Sequence, residues 1–136
     1  MWGASPKYDH GDWDIDQLGM NIDGSAGTTA YRAEGDLRRV EFLKFDVTNL
    51  AYHLPGRERG AVIGVGGGRD LMSARLFGVP DVTGVEINPI LHDLLTRDSE
   101  VARFTGLTDL EGINIEVDEA RSWFARADDT FDIIQM

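Results

Sequence analysis

The residues with chemical potential begin at Ala61-Val62-Ile63-Gly64-Val65-Gly66-Gly67-Gly68-Arg69-Asp70, an apolar run that breaks into glycines and then takes on helical spacing. A turn built this way lets a ligand approach the backbone closely. Glu86 follows eighteen residues after Gly68, inside Val85-Glu86-Ile87-Asn88-Pro89, and the pair Asp118-Glu119 ends a later apolar stretch. An acid at the end of a neighbouring strand can take the two hydroxyls of a ribose. Together these residues point to a nucleoside-type cofactor.

For the groups to meet, strands and helices must alternate. Ala61 to Val65 reads as a strand buried on both faces. Arg69 to Phe77, with Leu71, Met72, Ala74, Leu76 and Phe77, reads as a helix closed by Gly78 and Pro80. The second strand is Val82 to Ile87. Asn88 as N-cap and Pro89 at the first position start a helix whose Ile90, Leu91, Leu94 and Leu95 form one stripe. Residues 97 to 112 read as a broken helix or long loop. Ile113, Ile115 and Val117 mark a third strand, Ala120, Trp123 and Phe124 a helix, and Phe131 to Met136 a fourth strand. Such alternation implies a parallel sheet with right-handed crossovers, so the turns after successive strands line up at one edge. The glycine turn, Glu86 and Asp118-Glu119 therefore converge.

Upstream, Trp13 and Ile15 alternate with Asp12, Asp14 and Asp16, and Ile22-Asp23-Gly24-Ser25-Ala26-Gly27 has turn chemistry before Thr28 to Arg32. Residues 1–35 read as a small β-hairpin lobe. After a cap at Gly35-Asp36, Val40, Leu43, Val47, Leu50 and Leu54 recur at the spacing of one amphipathic helix ending at Pro55-Gly56. No helix follows the fourth strand to cover its far side. The chain is thus expected to stop short of a complete doubly wound sheet and to self-associate, with a homodimer as one form.

The glycine spacing selects among cofactors. A dinucleotide fingerprint requires Gly-x-Gly-x-x-Gly, but counting from Gly64 or Gly66 places Arg69 or Leu71 at the last position. Gly64-x-Gly66-x-Gly68 ending in Asp70 instead resembles the first motif of class I S-adenosylmethionine-dependent transferases, whose loop meets the amino-acid end of the cofactor. With Val82-Thr83-Gly84-Val85-Glu86-Ile87-Asn88-Pro89, Asp118-Glu119-Ala120-Arg121 and Phe131-Asp132-Ile133-Ile134, the chain from about Asp12 onward resembles the spermidine synthase family and its relatives.

The resemblance implies an α/β fold in which residues 36–136 form the first four strands of a Rossmann-like, class I methyltransferase-type sheet. The cofactor would be S-adenosylmethionine or its decarboxylated form, and the reaction methyl or aminopropyl transfer to a small acceptor such as a polyamine. It further implies Gly66 and Gly68 along the methionine-derived chain, with Gly64 and Gly67 also in the cofactor-binding turn, Glu86 on both ribose hydroxyls, and Glu119, followed by Ala120, at the adenine amino group. Asp118 is the competing choice for the last role. Ile87 is read either as a platform under the adenine or as core, and Asp70 either as a partner of the amino-acid end or as a cap for its helix. The loop departs from the family's Gly-Gly-Gly-Asp-Gly, because Arg69 occupies the place of the acid, and Lys44-Phe45-Asp46 stands where the family has Tyr-His-Glu. No catalytic residue is assigned. A cofactor-binding relative without turnover and an NAD-dependent oxidoreductase are the alternatives.

The totals bound these readings. With 136 residues, 42% hydrophobic and 27% charged, the chain is one domain's worth of soluble, globular protein. Thirteen basic against twenty-four acidic residues give a net charge of −11, which repels a phosphate backbone and argues against nucleic-acid binding. There is no membrane-length apolar run and no secretory signal pattern. The absence of cysteine excludes disulfides and thiolate metal sites here and agrees with the expected cytoplasmic location. His10, His53 and His92 share no metal-ligand spacing, so no metal is assigned. Trp123 and Phe124 lie at core spacing, and Arg121 reads as a surface or capping charge.

Overall fold

A computed structural model describes Ser5 and residues 14–136; His10, Asp12 and Trp13 lie outside the described residues. The fold is mixed α/β, with an antiparallel hairpin and a four-stranded parallel sheet. In the hairpin, β1 (Gln17–Ile22) pairs with β2 (Ala26–Tyr31), Gln17 opposite Tyr31 and Ile22 opposite Ala26. Asp23 (φ 51°) and Gly24 (φ 75°) make the left-handed turn between them. The first strand starts later than the alternating acids suggest. Asp14 precedes it, and the backbone carbonyl of Asp16 accepts from Arg32 N at 3.0 Å while its carboxylate pairs with Arg32.

The parallel sheet has the order β5-β4-β3-β6, built from β3 (Arg59–Ile63), β4 (Asp81–Glu86), β5 (Ile113–Val117) and β6 (Ile133–Gln135). Between them run α1 (Arg69–Leu76), α2 (Pro89–Thr96), α3 (Glu100–Thr105) and α4 (Ala120–Arg126). The undecided stretch after α2 is a broken helix: Gly106, at φ 62°, stops α3, and a short 3₁₀ turn, Leu107–Asp109, follows. Among the described residues, no helix is long and apolar enough to cross a membrane.

Strand register decides which side chains share a face. Val62, Gly84 and Ile115 stand opposite one another and face the main core with Leu71, Met72, Leu95 and Leu107. Ala61, Thr83 and Asn114 look the other way, and Thr83 and Asn114 line a polar groove of about 410 Å³ bounded by Glu116, Trp123 and Phe131. Trp123 and Phe124 do not join the main core. Helix α4 has no buried residue, and the two rings instead form a half-buried cluster with Phe131 at centroid distances of 5.0–5.5 Å. Edge strand β6 leaves Ile134 exposed.

The expected single amphipathic helix between hairpin and sheet does not form. Its place is taken by 3₁₀ turns over Leu37–Phe45, kinked at Val40 (φ −116°, ψ 17°), and over Val47–His53, the two stretches separated by Asp46 in an extended conformation. The Asp46 carboxylate accepts from Thr48 N at 3.0 Å and Thr48 Oγ1 at 2.9 Å, which caps the second segment. A 3₁₀ helix has about three residues per turn, so residues three apart eclipse one another. Val40, Leu43, Asp46, Asn49 and Tyr52 are buried at three-residue spacing, with Phe42 buried beside them, while Val47, Leu50 and Leu54 are 58–69% exposed. Buried Asn49 ties the series to α1, donating to Leu43 O at 2.7 Å and to Ser73 Oγ at 3.0 Å.

The stripe assigned to α2 also changes. Leu91 and Leu95, four residues apart, are buried, but Ile90 is 68% exposed.

Candidate functional site

Because the four strands are parallel, the ends of β3, β4 and β5 meet at one edge, and hydrogen bonds tie them together there. Gly64 N donates to Val85 O at 2.9 Å, and Asp118 N donates to Glu86 O at 3.1 Å. Glu86, the last residue of β4, is only 4% exposed. Its Oε2 accepts from Gly66 N at 3.1 Å and its Oε1 from Asn88 N at 2.9 Å. The carboxylate therefore spans the gap between the glycine turn and the start of α2, where Asn88 Oδ1 caps the helix by accepting from Ile90 N at 2.9 Å. Each carboxylate oxygen keeps a second acceptor lone pair for an incoming diol.

The glycines of the turn serve two different purposes. A Cβ on Gly66 would lie 2.5 Å from Thr28 Oγ1, and one on Gly67 would lie 2.2 Å from the Thr29 carbonyl oxygen. A Cβ on Gly68 would strike Leu107 at 2.3 Å. These three are small because the protein packs onto them, and Gly67 N also donates to Thr28 Oγ1 at 2.9 Å. Gly64 differs. Its φ of 74° is left-handed like those of Gly66 and Gly68, but it is exposed and nothing lies within 4 Å of its Cβ position, so only the backbone conformation calls for glycine there. The free lone pairs of the Glu86 carboxylate match a pair of hydroxyl donors.

At the end of β5, both acids have local partners. Glu119 is the N-cap of α4, accepting from Arg121 N at 3.1 Å and from Ser122 N and Oγ at 3.1 and 3.0 Å. Asp118 Oδ1 accepts from Glu119 N at 2.8 Å, and its Oδ2 pairs with Arg126. Ala120 opens the helix half-buried, and Arg121 is a surface charge as expected, 94% exposed. Ile87 is 67% exposed, so it is not core.

The backbone N–H of Arg121, with the Ser122 hydroxyl and N–H, holds the Glu119 carboxyl down to about 2. A carboxyl depressed below its unfolded value contributes stability that is complete above that value, about 4.5, and is lost as pH falls toward 2. Glu119→Gln is expected to reduce the loss of stability over that window, read as the change in urea midpoint between about pH 5 and pH 2. Asp36, held near 2 mainly by Arg38, contributes in the same sense and remains in the variant.

A cluster that sequence reasoning left unassigned lies against the start of α1. Arg69 Nε and Nη2 both lie 2.9 Å from Asp70 Oδ1, and Nη1 lies 3.9 Å from Asp46 Oδ2. Asp70 thus pairs with its neighbour, while the N-cap position of α1 is Gly68. Tyr31 and Tyr52 complete the surroundings. Burial raises the Tyr31 phenol, with Arg69 opposing and Asp46 adding to the rise; burial, reinforced by Asp70, pushes Tyr52 up to about 12. No local pattern announces this grouping, since Asp46 and Arg69 are joined only by packing of the 3₁₀ segments onto α1.

No protein-family model matches this chain, and no curated protein matches it. The functional reading therefore rests on the residues themselves. Among the described residues, no group of His, Asp and Glu side chains is arranged to hold a metal ion. His53 packs edge-on against Phe77 and His92 contacts Asp93, both away from the Glu86 edge.

Proposed function

We propose that the edge formed by Gly64, Glu86 and Asp118 binds the nucleoside of a sulfonium cofactor within a Rossmann-like, class I transferase-type fold. The activity is alkyl transfer to a small acceptor: methyl transfer from S-adenosylmethionine or aminopropyl transfer from its decarboxylated form, with an amine such as a polyamine as acceptor. The observation that carries this reading is the buried Glu86 carboxylate, held by Gly66 N and Asn88 N beside the open turn at Gly64.

The cofactor supplies a carbon already activated by a positively charged sulfur. An acceptor lone pair forms the new bond, the carbon–sulfur bond breaks, its electron pair stays on sulfur as a neutral thioether, and an amine acceptor gives up a proton. The chain's own contribution is positional. Glu86 takes the ribose hydroxyls, Ile87 offers an apolar surface beside them for the base, and Asp118 and Glu119 stand at the base end with Ala120. Gly66, Gly67 and Gly68 keep the turn fixed by packing against the hairpin and Leu107, and the tail of the cofactor runs toward Asp70.

Titration calorimetry with 5′-methylthioadenosine, S-adenosylmethionine and NAD in parallel tests the reading. Binding of the two sulfur nucleosides, with NAD at least tenfold weaker, is expected, on the order of 1.4 kcal/mol or more. NAD binding preferentially would make this a nicotinamide site. Folded chain that binds none of them would overturn the proposal.

A further inference from the structure

We infer that Thr28, on the hairpin, is a positioning residue for the nucleoside edge: its hydroxyl and the Glu86 carboxylate clamp successive amides of one turn, so the acid is set for its ligand while the hairpin is docked. The inference rests on the nucleoside reading above and adds the hairpin to that site.

Val65, Gly66, Gly67 and Gly68 form a tight turn, closed by Gly68 N donating to Val65 O at 2.9 Å, with Gly66 at φ 54°. Its inner N–H groups bond to different elements. Gly66 N donates to Glu86 Oε2, at the end of β4, at 3.1 Å, and Gly67 N donates to Thr28 Oγ1, on β2, at 2.9 Å. Consecutive glycines carry no side chain to hold their peptide planes, so the direction of these amides is set by their acceptors.

The hairpin bears on this turn through more than one bond. A Cβ on Gly66 would lie 2.5 Å from Thr28 Oγ1 and 3.4 Å from Thr28 Cβ, and one on Gly67 would lie 2.2 Å from Thr29 O and 2.7 Å from Ala30 N. Backbone rests on backbone there, so a shift of β2 moves the glycine peptides and with them the amide that fixes Glu86 Oε2. The other oxygen of Glu86 is held by Asn88 N, two residues along its own chain, at 2.9 Å. The tie through Gly66 is therefore the one that depends on another element, and Thr28 governs it. A carboxylate that must take two hydroxyls together binds better when both of its oxygens are held before the ligand arrives.

The test is calorimetry with 5′-methylthioadenosine on the wild-type chain, Thr28→Val and Thr28→Ser. Valine keeps the branched shape and removes the acceptor, whereas serine keeps the acceptor. Thr28→Val is expected to bind at least about fivefold more weakly per folded molecule, and Thr28→Ser to stay within about twofold of the wild type. In the wild type, hydrogen exchange of the Gly67 amide should slow at least about tenfold at a ligand concentration near 100 times Kd. Equal affinity in Thr28→Val overturns the inference and leaves the nucleoside site intact, whatever the variant loses in stability. Thr28→Ser weakened as much as Thr28→Val also overturns it, because the hydroxyl would then not be the group that matters. If Thr28→Val proves unfolded by circular dichroism, exchange at Gly67 decides, and an unchanged rate there overturns the inference. Failure of 5′-methylthioadenosine to bind the wild type removes the nucleoside reading itself, and the positioning role with it.

Discussion

Glu86→Ala is expected to abolish nucleoside binding and to lower the stability of the free chain, and the two effects are separable. The substitution leaves Gly66 N and Asn88 N without their side-chain acceptor. Both donors are part-buried, so each costs about 1 kcal/mol, the low end for an orphaned group, and a loss of about 2 kcal/mol in the ligand-free protein is expected. Loss of two charge-assisted bonds to a ribose diol, at about 1.5–3 kcal/mol each, weakens affinity by roughly two orders of magnitude or more. Thermal unfolding with and without 5′-methylthioadenosine reads both. The wild type should gain about 2.7 kcal/mol at a ligand concentration near 100 times its Kd, and the variant no more than about 0.4 kcal/mol at the same concentration. A variant that is less stable but still stabilised by the nucleoside would make Glu86 a purely structural acid.

The second large effect separates glycines that a sequence motif treats alike. Gly67→Ala drives a methyl group against backbone, 2.2 Å from Thr29 O and 2.7 Å from Ala30 N, where no side chain can yield. Either the turn shifts and loses the Gly67 N to Thr28 Oγ1 bond, or the hairpin lifts from the sheet and exposes Ala30 and Tyr31. A loss of about 3 kcal/mol or more is expected, roughly 10 °C in Tm. Gly64→Ala meets no atom and pays only for the left-handed φ of 74°, about 1–2 kcal/mol. Its methyl group instead stands in the space that the nucleoside proposed above would occupy. Urea midpoints should therefore rank Gly67→Ala well below Gly64→Ala, while nucleoside affinity of the folded fraction falls more in Gly64→Ala. The reverse ranking of stabilities would show that the hairpin contact is not what holds the turn.

Local pattern was sufficient where one element carries its own signal. Asn88-Pro89 opens a helix because an Asx side chain and a proline at the first position satisfy the terminal N–H groups without help from elsewhere. The strands at 59–63, 81–86 and 113–117 follow from their apolar content, and the parallel arrangement follows from helices between them. Pattern misled where two helical periods compete. Val40 and Leu43 fit either about three or about 3.6 residues per turn, and only the break at Asp46 and the burial of Asn49 and Tyr52 choose the shorter one.

The sequence by itself determined the alternation of strands and helices, the hairpin turn, and the placement of a glycine turn and Glu86 at a common sheet edge. These depend on spacing within an element and on the chain direction of parallel strands. Tertiary structure alone decided that Gly66 and Gly67 answer to Thr28 and Thr29, that Ile87 and Ile90 are exposed, and that Arg69 lies near Asp46. Such contacts join residues as far as 39 positions apart, and their partners are chosen by how the hairpin and the 3₁₀ segments pack onto the sheet, which no local periodicity encodes.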